Sequence, residues 1–213
     1  MDNIIKKSKA IEVFNKWAEK GKDEGMKKNH FKSYIYIKDI IKKEFQGDIN
    51  ISVADVGCGN GWATSDLSKE SFVSEAFGYD GAAKMIKKAQ SSIKGPSFFQ
   101  ANLNSWNPSQ KFDIIYSMEV VYYLNNPKEF IQKCYDQWLK PNGLFIAGID
   151  YYAENKPSRS WPEDLNVLMQ TKTIDGWRNA LIQSKFKNCK ARQVNQKDDW
   201  SGTLIFWGRK DAL

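Results

Sequence analysis

The chain has 213 residues, 27% charged and 41% hydrophobic, with 32 Lys and Arg against 25 Asp and Glu and a formal charge of +7. That length buries a real core and suits one α/β domain with a modest addition. No stretch approaches the roughly 18 uninterrupted apolar residues of a membrane span, and the first residues lack a signal peptide's apolar core. Three cysteines and one histidine indicate neither a disulfide framework nor a zinc site. A cytoplasmic protein without membrane partner or metal is expected. Lysine greatly outnumbers arginine and is spread along the chain, so the charge reads as a solvated surface and nucleic acid is a disfavoured partner.

Residues 3–20 carry helical spacing, with Ile4, Ile11, Phe14 and Ala18 on one face and Trp17 beside them. Residues 21–25, Gly-Lys-Asp-Glu-Gly, break that helix. A second helix is predicted from about 31 to 46 on Phe31, Tyr34, Ile37, Ile41 and Phe45, and Gly47 ends it. From Ile49 to Val56 the period changes to a β-branched run that ends in glycines, as a buried parallel strand does.

A helix follows near Gly61, then a strand over Phe72–Tyr79, a helix over Ala82–Ile93 and a third strand over Ser97–Ala101. Asn104–Gln110 is a polar turn, and Phe112–Ser117 reads as the fourth strand with a short helical turn after it. Pro127 opens a helix at its tolerated first position, with Phe130, Ile131, Cys134, Trp138 and Leu139 turned inward. Pro141-Asn142-Gly143 forms a tight turn before a fifth strand, Leu144–Ile149. Residues 151–171 are a polar and aromatic loop, and Thr173 starts a helix that faces Ile174, Trp177, Leu181 and Ile182 inward. The tail offers β segments near 188–195 and 202–208.

Alternating strands and helices imply a mainly parallel sheet covered on both faces, an α/β fold. The expected division is one domain: a helical cap over 1–47, a core over 48–150, a lid loop over 151–172, and a helix with a β-hairpin over 173–213. In such sheets a ligand sits beyond the carboxyl ends of the strands, so the residues just after each strand carry the site.

The strongest local signal is Val53-Ala-Asp-Val-Gly-Cys-Gly-Asn-Gly61. Gly57, Gly59 and Gly61 let the backbone turn sharply and approach a ligand closely. The spacing is GxGxG, with Trp62 where a dinucleotide fingerprint has its third glycine, and the phosphate-binding GxxxxGK[ST] is absent. Asp55 can accept hydrogen bonds from a cationic amino group, which a nicotinamide dinucleotide lacks. Asp80 ends the second strand nineteen residues after Gly61, where a carboxylate can take both hydroxyls of a ribose; a helix cap is its other reading. Asn102 and Leu103 follow the third strand and suit the edge and face of an adenine, or a simple turn.

These stretches, with Phe77–Gln90, Phe112–Leu124 and Leu139–Ile149, closely resemble class I S-adenosylmethionine-dependent methyltransferases over residues 53–149. The resemblance implies a Rossmann-like sheet of seven strands with the last antiparallel, and S-adenosylmethionine as cofactor with S-adenosylhomocysteine as product. It implies that Asp55, Gly57 and Gly59, with Cys58 between them, hold the methionine part. Asp80 would bind the ribose, Gly81 and Met85 the adenine side, Asn102 and Leu103 the adenine edge. Ser117 and Met118 would lie beneath the cofactor. The adenine position is often acidic in the family and is Asn102 here. The Asp/Asn-Pro-Pro-Tyr/Phe sequence of enzymes that methylate amino groups of DNA and protein is absent, which lowers the prior for nucleic-acid bases.

Methyl transfer from a sulfonium needs alignment, exclusion of water and removal of any acceptor proton. Candidates follow the fourth and fifth strands. Glu119 reads as a base, a cation binder or a helix-end charge. Tyr122 and Tyr123, then Asp150, Tyr151 and Tyr152, read as an aromatic pocket or as ordinary packing. His30 is the base by residue type, or a lone surface histidine. Tyr34, one turn later, is expected to close over the cofactor, and Trp161 to belong to the lid. The expected activity is methyl transfer to a small molecule, ahead of an RNA or protein acceptor and of an inactive cofactor-binding scaffold.

Overall fold

The structure is a computed structural model that describes residues 9–212. Ile4 and the start of the expected first helix lie outside the described residues. The elements are α1 (Ala10–Glu19), α2 (Glu24–Glu44), β1 (Ile51–Val56), α3 (Trp62–Leu67), β2 (Val73–Asp80), α4 (Ala83–Ser92), β3 (Ser97–Gln100) and β4 (Phe112–Met118). After them come α5 (Pro127–Lys133), β5 (Leu139–Ile149), α6 (Trp161–Asp164), α7 (Ile174–Gln183), β6 (Lys187–Val194) and β7 (Thr203–Arg209).

All seven strands form one sheet in the order β3-β2-β1-β4-β5-β7-β6. β1 to β5 run parallel, and β7 is antiparallel to both of its neighbours. The chain order reverses between β1 and β4, so the switch point lies beyond Val56 and Met118. Period-two alternation builds two cores. Ile114, Tyr116, Leu144, Ile146 and Ile205 face α2 and α3, where Tyr34, Ile37 and Ile41 are fully buried. Ile115, Phe145, Ala147, Leu204 and Phe206 face Trp138, Trp177 and Leu181 on the other side.

Four elements differ from the sequence expectation. Helix α2 begins at Glu24, a full two turns before 31. Its start is fixed from outside: Asp23 is buried, accepts the Asn60 side-chain amide at 3.0 Å and pairs with Lys88 at 2.7 Å. The fifth helix ends at Lys133 and passes through a π-type turn, Cys134–Trp138, so Leu139 is already strand. Phe112 pairs with Leu139 and Ile114 with Leu144, so residues 140–143 bulge from the ladder. Residues 151–171 hold a 3₁₀ turn, Lys156–Ser160, and then α6. Ile182 stands 46% exposed on α7, where Trp177 and Leu181 carry the packing.

Candidate active site

The glycine loop takes its shape from the strand ends around it. β1 is buried along its whole length. The N–H groups of Gly57 and Cys58 both donate to the carbonyl of Tyr79, at 2.6 and 3.1 Å, which fastens the loop to β2. Gly57 has φ +86°, and a Cβ there would lie 2.1 Å from Val120 Cγ2. Gly59 has φ +55°, and a Cβ there would meet Met26 Cε at 2.9 Å. Gly57 needs glycine on conformational and steric grounds, and Gly59 on conformational grounds, since the Met26 methyl can swing aside.

Asp80 accepts the Gly59 N–H at 2.9 Å through one carboxylate oxygen and the Ala82 N–H at 2.7 Å through the other. A carboxylate offers about four lone-pair sites, so each oxygen keeps capacity for a further donor. Burial raises the Asp80 pKa against the pull of these two N–H groups. Asp55 is buried and accepts the Thr64 hydroxyl at 2.6 Å. Burial pushes its pKa up to about 7, opposed by Thr64 and reinforced by the charge of Asp80.

These groups form one end of a cavity of about 910 Å³. Asp55, Gly57, Cys58, Gly59, Asp80, Gly81, Met85, Asn102 and Leu103 all line it, as does Met118. The Cys58 thiol is buried and its pKa is pushed well up, first by burial and then by the charges of Asp55 and Asp80. Its thiolate form is suppressed, as a packing residue requires. Helix α1 packs beside the turn that follows Asp80: a Cβ on Gly81 would meet Ile11 at 2.6 Å. Asn15 Oδ1 accepts the Lys84 N–H at 2.9 Å, and Glu19 pairs with the Lys84 ammonium.

The other end of the cavity is built by Glu119, Asp150 and His30, with Tyr122, Tyr123 and Trp161 around them. Glu119 follows β4 with φ +58°, a strained value for a residue with a side chain. The Tyr122 hydroxyl donates to one Glu119 oxygen at 2.8 Å, while Glu119 Oε1 is shielded from solvent and has no hydrogen-bond partner. Asp150 ends β5 and lies 3.7 Å from His30 Nδ1. Burial raises the pKa of both carboxylates, and the charge of Asp150 raises Glu119 further. Burial lowers the His30 pKa, opposed by Asp150. His30 is thus a half-buried member of α2 facing the cavity, and neither a surface residue nor a residue preceding the helix.

Three expected site residues lie off the cavity wall. Tyr34 is fully buried and its hydroxyl donates to Asp66 at 2.7 Å, because its position on α2 turns it to the sheet. Ser117 points to the neighbouring strand and donates to the Val56 carbonyl at 2.9 Å. Tyr152 ties the tail down: it donates to the carbonyls of Ser201 and Gly202 at 3.0 Å and accepts the Gln193 amide at 2.9 Å. Conversely, Phe14, Trp17, Met26, Trp62 and Trp200 line the cavity without a local motif to announce it. The one available signal is an amphipathic first helix whose apolar face carries two aromatic residues.

The sequence pattern of a methyltransferase domain matches residues 54–147, the segment that carries the loop, Asp80 and β4 to β5. Over that segment the chain is similar to class I S-adenosylmethionine-dependent methyltransferases. The chain is 29% identical over 118 residues to trans-aconitate 2-methyltransferase of Escherichia coli, covering 55% of this chain and 43% of that protein. It is 29% identical over 95 residues to the enzyme of that name from Rhodopseudomonas palustris, covering 45% and 37%. The chain thus spans less than half the length of these curated relatives. Among solved structures, it resembles a chain of the complex between the Haloferax volcanii Trm112 methyltransferase activator and a methyltransferase. That likeness has a TM-score of 0.77 at 23% identity and covers 93% of this chain and 97% of that one. It also resembles an S-adenosylmethionine-dependent methyltransferase from Mesorhizobium loti, with a TM-score of 0.66 at 19% identity, covering 81% and 96%. These likenesses show the fold. Among the described residues no helix is long and apolar enough to cross a membrane.

Proposed function

We propose that this domain transfers the methyl group of S-adenosylmethionine to a nucleophilic atom of a small molecule. The observation that carries the reading is the two-ended cavity. Its volume of about 910 Å³ sits near the top of the ~300–1,000 Å³ range of small-molecule sites, enough for two reactants side by side. The loop end fits a sulfonium nucleoside. Gly57 and Gly59 hold a tight backbone turn at the cavity wall that a side chain at Gly57 would break, Asp80 keeps lone pairs for two ribose hydroxyls, and Asp55 would meet the cationic amino group. Gly81, Met85, Asn102 and Leu103 would surround the adenine.

Bound there, S-adenosylmethionine supplies an activated methyl displaced in line, and S-adenosylhomocysteine leaves as a neutral thioether. The protein therefore stabilises no leaving anion. Its own work is to orient the acceptor, exclude water and take the acceptor's proton. Glu119, His30 and Tyr123 are the residues that face the acceptor. His30 Nδ1 has no hydrogen-bond partner among the described residues and can receive that proton. The Asp150 carboxylate would steady the resulting charge. Tyr122 positions Glu119 through its hydroxyl. Residues of α1, α6 and the 161–168 segment close the outer side and keep water out.

The test is to incubate the full chain with methyl-labelled cofactor and a metabolite extract, then identify by mass spectrometry what gains the label. A labelled small molecule is expected. Label confined to RNA or protein fractions would overturn the choice of acceptor, and calorimetry showing no association with S-adenosylhomocysteine would overturn the whole reading.

A further inference from the structure

His30, Glu119 and Asp150 come from α2, the turn after β4 and the end of β5, yet one donor atom of each lies within 4.8 Å of the other two. The physical difficulty is charge. Two carboxylates this close, in a wall shielded from bulk water, repel one another and cannot both ionise without a cation between them. The protein supplies no fixed cation: among the described residues no lysine or arginine pairs with either carboxylate, and the one basic neighbour is the His30 imidazole, 3.7 Å from Asp150. Asp150 is only 7% exposed, and its Oδ1 has no hydrogen-bond partner. Glu119 Oε1 and His30 Nδ1 are unpartnered as well. One donor atom from each side chain therefore meets the other two in one small volume, each side chain also carries an atom without a hydrogen-bond partner, and Glu119 reaches the place from a backbone at φ +58°.

We propose that His30, Glu119 and Asp150 form a binding site for one divalent first-row metal ion at the acceptor end of the cavity. One imidazole and two carboxylates suit Mn²⁺ or Zn²⁺. Donors about 2.1 Å from an ion stand roughly 3 to 4.2 Å apart, so under about 1 Å of side-chain movement closes the set. The ion cancels the repulsion and gives the three side chains one shared partner. Because each ligand lines the cavity wall, the ion's remaining positions face the cavity. The exposed Lys9, Lys32 and Lys197 also line it. An ion inside lysines selects an anionic acceptor whose carboxylate or hydroxyl oxygens complete the coordination shell. This deepens the methyl-transfer reading by naming the acceptor class and changes it at one point: with the ion bound, His30 is a ligand and the ion, not the imidazole, eases loss of the acceptor's proton to solvent; metal binding itself can be read without that reading.

The experiment titrates the full chain, freed of metal by a chelator, with Mn²⁺ and follows the free-ion signal by electron paramagnetic resonance. One ion per chain is expected. Asp150→Asn and Glu119→Gln are each expected to weaken it about 100-fold or more, and His30→Ala about tenfold or more. Thermal melts of the metal-free proteins check folding. Removing one of two repelling carboxylates should keep or raise the melting temperature of the metal-free chain, so a weakened variant is not simply an unfolded one. No saturable Mn²⁺ binding by the native chain, or binding undiminished in both carboxylate variants, overturns the site. Calorimetry with S-adenosylhomocysteine on the same samples separates the two readings: cofactor binding by a chain that takes up no Mn²⁺ sinks this inference alone.

Discussion

The Asp80 carboxylate accepts the Gly59 N–H at 2.9 Å, so the end of β2 and the glycine loop are locked together before a ligand arrives. The same carboxylate holds the N–H of Ala82 at the start of α4. In the proposed function, a residue that shapes the cradle would also offer the ribose its acceptors. Asp80→Ala should raise the dissociation constant for S-adenosylhomocysteine about 100-fold, since hydrogen bonds to a charged group contribute ~1.5–3 kcal/mol each. Two orphaned backbone donors should also lower the melting temperature. Calorimetry and a thermal melt measure both; unchanged affinity would remove Asp80 from the cofactor site.

Gly57 tests the loop by sterics alone. Alanine there would place Cβ 2.1 Å from Val120 Cγ2 at a φ of +86°. Val120 must move or the loop must shift, and both erode the cradle. Gly57→Ala should cost about 1–3 kcal/mol of stability and abolish measurable cofactor binding. Gly47→Ala is the control, because its φ is +91° and nothing lies within 4 Å of the added carbon. It should lose stability by strain yet keep its affinity, as judged by urea unfolding and calorimetry.

The core was legible in sequence because its signals are local. Ile51–Val56 and Phe112–Met118 are apolar runs that end in glycine or polar residues, and their alternation sorts Ile114 from Ile115 onto opposite faces. The loop was legible because three glycines at that spacing have few other uses. What stayed hidden depends on contacts between distant parts. The first turns of α2 are lysine-rich and amphipathically silent, and tertiary ties of Asp23 to Asn60 and Lys88 fix where it starts. His30, Glu119 and Asp150 could each be named singly, but their grouping needs the folded sheet. Neighbouring tyrosines divide likewise: Tyr122 lines the cavity, whereas Tyr152 turns to the carbonyls of the tail.

Under the proposed function, Asp55 should make cofactor binding depend on pH. Its folded pKa, about 7, lies above the ordinary value of 3.8, so the free protein carries a proton there between those limits. The sign follows from linkage. In that window the folded chain binds more protons than the unfolded one, so this group's contribution to stability is largest at low pH and falls as pH rises toward 7. Association with a cationic amino group needs the carboxylate and must release the proton. Affinity should therefore weaken up to about tenfold per unit as pH drops below 7. Asp55→Asn should flatten the dependence and bind weakly throughout. Calorimetry in two buffers of different ionisation enthalpy counts the proton.

Tyr152 and Tyr34 should behave as structural residues. Tyr152→Phe removes the donor to the Ser201 and Gly202 carbonyls and the acceptor for Gln193. Tyr34→Phe strips the Asp66 carboxylate of one of its two side-chain donors, leaving Lys38 at 2.7 Å. Each should destabilise the chain by ~1–3 kcal/mol in urea unfolding, with cofactor affinity unaltered. A fall in affinity without a fall in stability would return that tyrosine to the site.

Phe14 tests the cover. Its ring packs edge-on against Tyr123 at 5.3 Å and against Trp17 at 5.3 Å, so it joins α1 to the acceptor end of the cavity. Phe14 is only half-buried, and α1 touches the body chiefly through α4. Such an element belongs to the low-stability end of a fold, where local opening costs less than global unfolding. Phe14→Ala should leave the urea midpoint nearly unchanged. Cofactor dissociation should quicken about tenfold, corresponding to ~1.4 kcal/mol for one edge-to-face ring pair and its burial. Stopped-flow release of S-adenosylhomocysteine reads the rate directly. Faster release with an unchanged association rate would identify α1 as a cover that retains ligand. Equal release rates in the native and Phe14→Ala chains would make it a passive rim.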